Sequence, residues 1–281
     1  MGKGLSEKKY FLVDNGSLRA ESVRTLREIA VQLSGLCDRA VIPMGLMHSH
    51  KVNADELDGQ PAQSMQCFLE SAEAEALSHI CVIPFFLGPS LAVTDWLPRN
   101  LALWQERGAG RHFRILDVLY RQGDDRLPRA LAERCRETIQ QSGLARAHVA
   151  MVDHGTPLKE VNQVREEVGQ KCQQLLANQV AGFSTCAMER REGAEYDFND
   201  PLLESLLEKW VGTGVREIIL SQFFLLPGRH AGPGGDLEQI VLPFTDRLPE
   251  LSVHRAENLG THPLVMEILQ QRITEAGEGV A

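Results

Sequence analysis

Two histidines stand in glycine-containing stretches that suit chain reversals. His154 lies in Asp153-His154-Gly155-Thr156, and His230 lies in Pro227-Gly228-Arg229-His230-Ala231-Gly232-Pro233-Gly234-Gly235. A third stretch, Glu189-Arg190-Arg191, adds one carboxylate and two guanidinium groups. Neutral imidazole is both a ligand for divalent transition metals and a base that titrates near neutrality, so two histidines and a glutamate suit metal handling or proton transfer. Each group also has a plainer reading. His154 can cap the helix that follows Gly155, and Glu189 with its arginines can be a solvated ion pair of little energetic worth. The chemistry requires that residues far apart in sequence be brought together, which turns the question to the elements that carry them.

Each stretch follows an apolar, β-rich run, and such runs alternate with amphipathic segments throughout the chain, the pattern of βαβ units and parallel sheets. Strands are expected at 10–14, 40–47, 79–86 and 113–119, then at 148–152, 180–188, 216–224 and 251–255. Helices are expected near 20–34, 61–77, 95–107 and 127–141, then near 158–177, 200–212, 235–247 and 263–275. The halves also repeat one another. Phe-Leu-Val-Asp-Asn-Gly-Ser at 11–17 returns as Ala-Met-Val-Asp-His-Gly-Thr at 150–156, an offset of 139, and Ile83 to Leu87 returns as Ser221 to Leu225, an offset of 138. The fold class is therefore α/β, a tandem duplication of two four-stranded parallel sheets flanked by helices. The halves divide at the Gln141-Ser142-Gly143 linker into 1–142 and 143–281. In such sheets ligands bind beyond the carboxyl ends of the strands, where all three stretches fall.

Composition narrows the partners. The chain of 281 residues carries a net charge of −9, which disfavours nucleic acid and anionic membranes as main partners. No apolar run reaches the roughly 18 to 20 residues of a membrane helix, and Met1 to Lys9 has no signal-peptide pattern, so a cytoplasmic protein is expected. The six cysteines are scattered singly, without a Cys-x-x-Cys pair, and read as reduced, mostly buried thiols. Nucleotide-cradle patterns and a Gly-x-Ser-x-Gly elbow are both missing.

Asp-His-Gly-Thr at 153–156, Phe-Phe-Leu-Leu-Pro-Gly-Arg-His at 223–230 and Gly-Thr-His-Pro-Leu at 260–264, in that order, resemble the sirohydrochlorin chelatases of cobalamin and sirohaem biosynthesis. The resemblance runs from about Phe11 to Ile273. It implies two chelatase-like domains with a cleft between them and ATP-independent insertion of divalent cobalt or iron into sirohydrochlorin or a related tetrapyrrole. Metal is then a substrate, with no permanently bound cofactor. By the same resemblance His154 and His230 are the metal-binding and catalytic histidines, and Glu189 is the helper acid. Arg190, Arg191 and Arg229, with Lys159, are placed to meet substrate carboxylates, since guanidinium forks match carboxylate geometry.

The first half departs from this pattern. It has Asn15 where the second has His154, no histidine in Gly88-Pro89-Ser90-Leu91-Ala92, and Ser49 in the place assigned to Glu189. By the resemblance its metal site is degenerate and it supplies substrate contacts from Asn15, Ser17, Arg19, His48, His50 and Lys51. In extended chain His48 and His50 share one face and can present a second nitrogen pair. Residues 1–142 hold 17 basic and 18 acidic residues, whereas residues 143–281 hold 12 and 20, so the acidity belongs to the half with the histidines. Such a field favours divalent cations there and polycarboxylate contacts in the first half. The alternative reading is a non-catalytic metal- or tetrapyrrole-binding relative. A homo-oligomer is compatible with either.

Overall fold

The computed structural model describes residues 8–144 and 146–278. β1 (Lys8–Asp14), β2 (Val41–Gly45), β3 (His79–Pro84) and β4 (His112–Ile115) form one parallel sheet in the order β2-β1-β3-β4. β5 (His148–Asp153), β6 (Gly182–Ala187), β7 (Glu217–Gln222) and β8 (Ser252–Arg255) form the second, in the order β6-β5-β7-β8. The central strands are buried on both faces, as in Phe11-Leu12-Val13 and Val149-Ala150-Met151-Val152. They accordingly read as continuous apolar runs. In each sheet the chain moves outward from the first strand and returns on its other side. The switch point thus falls between β1 and β3 in one sheet, and between β5 and β7 in the other, where α/β sheets place ligands.

The helices are α1 (Ala20–Cys37), α2 (Met65–Phe68), α3 (Ala72–Glu75), α4 (Leu97–Glu106), α5 (Arg126–Ser142), α6 (Lys159–Leu176), α7 (Leu203–Gly212), α8 (Asp236–Arg247) and α9 (Pro263–Glu278). The single helix expected over 61–77 is two short ones. Ser64 Oγ accepts from Cys67 N–H and Ser71 Oγ accepts from Ala74 N–H, so each serine caps a fresh start. The last helix continues through Glu278.

The compact units differ from the sequence halves. One comprises residues 1–121 and 266–281, the other residues 122–265. α5 closes the second unit, where the Cys135 thiol meets Cys172 of α6. α9 serves the first unit beyond Val265. Arg272 donates to the Val118 and Leu119 carbonyls, and Arg121 pairs with Glu275 at 2.8 Å. Local periodicity identifies both helices but carries no information about which sheet they cover. No described helix is long and apolar enough to cross a membrane.

Candidate active site

β5 ends at Asp153, whose Oδ1 accepts from Gly155 N–H and from the buried guanidinium of Arg165 on α6, both at 3.0 Å. Burial pushes the Asp153 carboxyl up and Arg165 pulls it back. Gly155 has φ +93°, and a Cβ there would sit 1.9 Å from the Glu189 carbonyl oxygen. Only glycine permits that approach. Met188 N–H donates to Asp153 O at 2.8 Å and Glu189 N–H donates to His154 O at 3.2 Å. The ends of β5 and β6 are thereby joined, and Glu189 is held beside His154. Asn199 fixes the next residue, accepting from Thr156 N–H and donating to Thr156 O, both at 2.9 Å.

His230 lies in the loop after β7. A Cβ on Gly232 would come 2.7 Å from the Gly228 oxygen, and one on Gly235 would come within 2.8 Å of three carbonyl oxygens. The glycines let this loop fold onto itself and turn into α8. Asp236, in the first turn of α8, pairs with Arg229 Nε at 3.5 Å and contacts His230 Nδ1 through Oδ2 at 2.7 Å. An acid in that position also suits the helix dipole.

The two imidazoles meet edge to face, with ring centroids 4.3 Å apart. His154 Nε2 lies 3.4 Å from Glu189 Oε1, and His154 Nδ1 lies 3.3 Å from Gly155 O. Because a carbonyl only accepts, Gly155 holds an N–H at His154 Nδ1, and Nε2 is the nitrogen that faces the Glu189 carboxylate. Asp236 does the same for His230, fixing N–H at Nδ1 and freeing Nε2. Burial and the neighbouring His154 lower the His230 pKa, with Asp236 opposing them. The balance favours the neutral imidazole at His230. An imidazole nitrogen and a carboxylate oxygen at this distance can share a proton or hold a metal cation between them. A cavity of about 390 Å³, lined by Met188, Glu189, Glu204, Asp236, Gln239, Ile240 and Pro243, opens beside it. Among the described residues, no group of three or more His, Cys, Asp or Glu side chains is arranged to hold a metal ion.

The remaining expected site residues are placed less uniformly. Arg190 is committed to its own loop, with Asp197 and Asp200 each at 3.0 Å and the carbonyls of Arg191 and Gly193 at 3.2 Å. Those bonds occupy the fork expected to meet substrate. Arg191 is exposed and lies over the Tyr196 ring, and Arg229 is 78% exposed. Lys159 lies near the Phe198 ring. In the first unit Asn15, Arg19, His48 and Lys51 are exposed, while Ser17 Oγ accepts from Arg19 N–H as α1 begins. The extended His48–His50 segment is corrected: His48 has φ +65° and residues 49–51 form a 3-10 turn. The i, i+2 alignment does not apply, and His50 Nδ1 contacts Ser64 Oγ at 2.9 Å. His262, just before α9, accepts from Leu264 N–H and lies 3.3 Å from Glu133.

Twin hydrogen bonds fix the internal correspondence. Leu46 N–H donates to Asp14 O as Met188 N–H does to Asp153 O, and a Cβ on Gly16 would meet Met47 O as one on Gly155 meets Glu189 O. Met47, not Ser49, therefore stands where Glu189 stands. Ser90 N–H to Gly88 O repeats Gly228 N–H to Leu226 O, which places Ala92 opposite His230. The first unit thus has Asn15, Met47 and Ala92 in the three positions. Sequence reading missed Asp236, Arg165 and Asn199. Only Asp236 left a signal, an acid opening the helix after Gly234-Gly235.

Residues 148–276 match the CbiX family model. The sirohydrochlorin ferrochelatase of Arabidopsis thaliana chloroplasts is 24% identical over 138 residues, which is 49% of this chain and 56% of that protein. The chain thus matches little more than half the length of that relative. Among solved structures, SirB from Bacillus subtilis with Fe3+ superposes with a TM-score of 0.67 at 14% identity, covering 98% of both chains. CbiX, described as the terminal enzyme of sirohaem biosynthesis in denitrifying bacteria, superposes with 0.61 at 17% identity, covering 96% of this chain and 99% of that one. A multi-domain protein from Deinococcus radiodurans with structural similarity to chelatases gives 0.62 at 20% identity, covering 95% and 55%. The resemblance to sirohydrochlorin chelatases is shown, in sequence for the second repeat and in fold along nearly the whole chain.

Proposed function

We propose that this relative of the sirohydrochlorin chelatases inserts a divalent metal, ferrous iron or cobalt, into sirohydrochlorin or a closely related tetrapyrrole without ATP. The observation that carries this reading is the imidazole pair of His154 and His230, with Glu189 against one ring and Asp236 against the other. Metallation removes two pyrrole protons while the incoming ion sheds water. Both imidazoles use Nε2, that of His154 beside Glu189, to hold the ion weakly or to take a proton, and a site with few protein ligands releases metal more readily than a closed cage. Glu189, largely exposed, draws the cation and relays protons toward solvent. Exposed Arg191 and Arg229 meet substrate carboxylates.

His154→Ala and His230→Ala should each abolish the absorbance change of sirohydrochlorin given ferrous iron or cobalt anaerobically, while circular dichroism stays unchanged. Near wild-type rates in both variants would reject the assignment. Tight stoichiometric metal binding without turnover in the wild-type chain would instead mark a carrier. The same assay, run with each metal in turn, decides between iron and cobalt.

A further inference from the structure

Asp14 is the counterpart of Asp153, yet its surroundings differ in one respect. Both carboxylates follow the central strand and accept from the glycine two residues on, Gly16 or Gly155, at 3.0 Å. Asp153 also takes the Arg165 guanidinium, which is fully buried and reaches on to the carbonyl of Asn199 at 3.2 Å. α1 and α6 are both 18 residues long and begin 139 residues apart, so Leu26 occupies the place of Arg165. Asp14 is 9% exposed, and among the described residues its carboxylate accepts from the backbone N–H groups of Gly16 and of Asp14 itself and pairs with no cation. Burial raises its pKa to about 7.

The volume that Arg165 fills in the second unit is open in the first. A cavity of about 280 Å³ is lined by Asp14, Leu26, Met44 and Pro61, and also by Arg27 and Glu73. Pairing of β1 with β2 and of β5 with β6 makes Met44 the counterpart of Cys186. Gly45 N–H donates to Gln63 O as Ala187 N–H does to Pro201 O, which makes Pro61 the counterpart of Asn199. The walls that receive a guanidinium in one unit therefore enclose empty space around an uncompensated carboxylate in the other. Arg27 does not fill it. It donates to Gln60 O at 2.7 Å and makes no hydrogen bond or ion pair with Asp14. Glu73 is neutralised by Lys9 at 2.9 Å.

We propose that this cavity binds a small guanidinium or amidinium compound, whose cationic head takes against Asp14 the place that the Arg165 side chain takes against Asp153. A planar head with several N–H donors matches one carboxylate and a neighbouring carbonyl. A compact ammonium matches that geometry less well.

The test is calorimetric titration of the full chain with agmatine and methylguanidine, against methylammonium and urea as controls. Both guanidinium compounds should bind saturably, at least tenfold more tightly than methylammonium. Asp14→Asn should weaken binding at least tenfold. Leu26→Arg should abolish it while raising Tm, because the new side chain occupies the cavity from within. No saturable binding, equal binding of methylammonium, or unchanged affinity in Asp14→Asn would overturn the proposal. If Leu26→Arg does not fold, Asp14→Asn with a wild-type thermal transition decides the matter.

Discussion

At the scale of single residues, the site depends on who holds each imidazole. His154 and His230 differ in environment: a carbonyl supports the first, whereas the Asp236 carboxylate supports the second at 2.7 Å. Asp236 does two things to His230, fixing its tautomer and raising its pKa against burial and His154. Asp236→Asn removes the charge and keeps the volume. Orienting partners of metal-binding histidines typically contribute about 10- to 100-fold, so insertion should slow by that order. The pH profile gives the sign. His230 works as the neutral form, and without the charge of Asp236 its pKa falls further, so the acid limb of kcat should move to lower pH. A slower rate with an unmoved acid limb would limit Asp236 to holding the loop. The histidines themselves were legible in sequence because glycine and proline surround them. Arg165 was not, since a single arginine at a helical position looks like any surface residue until the fold buries it.

At the scale of elements, strand ends and the turns after them set the geometry. Every expected strand is present; the central ones are legible because a doubly covered parallel strand leaves an apolar run, whereas the edge strands β4 and β8 are short and only partly buried. The stretch over 61–77 was misread because its apolar spacing suits a helix and only serine capping at Ser64 and Ser71 divides it. The pairing of Met47 with Glu189 was hidden for a related reason. Side-chain types favour a different alignment, whereas the correspondence lies in backbone hydrogen bonds and in one glycine contact. That contact is testable. Gly155→Ala adds a methyl group 1.9 Å from the Glu189 oxygen at φ +93°. Strain of a non-glycine residue there costs about 1–3 kcal/mol before the clash is relieved. Denaturant unfolding should show a loss of at least about 2 kcal/mol. Insertion should also slow, because the end of β6 must move away from His154. Unchanged stability would mean that the turn relaxes without strain.

At the scale of the whole molecule, the duplication and the folding units do not coincide. The repeat divides the sequence near residue 142, but α5 completes the second unit and the later part of α9 completes the first. Hydrophobic patterning shows that α5 has an apolar face and is silent about which sheet that face meets, so a linker at Gln141-Ser142-Gly143 was the natural inference from sequence. The difference has a direct consequence. A fragment of residues 143–281 retains the histidines and the whole second repeat yet lacks α5, uncovering Val168 and Cys172 of α6, both fully buried in the intact chain. A fragment of residues 122–265 keeps the compact unit, including the contact between Cys135 and Cys172 and the pairing of Glu133 with His262. Exposing a core face of this kind removes several buried side chains, each worth about 1.5–3 kcal/mol, from a domain whose total stability is about 5–15 kcal/mol. The 122–265 fragment should unfold cooperatively on heating, and the 143–281 fragment should show no cooperative transition. Cooperative unfolding of both would place the folding boundary at the repeat after all, and would make α5 an accessory to the second sheet rather than part of its core.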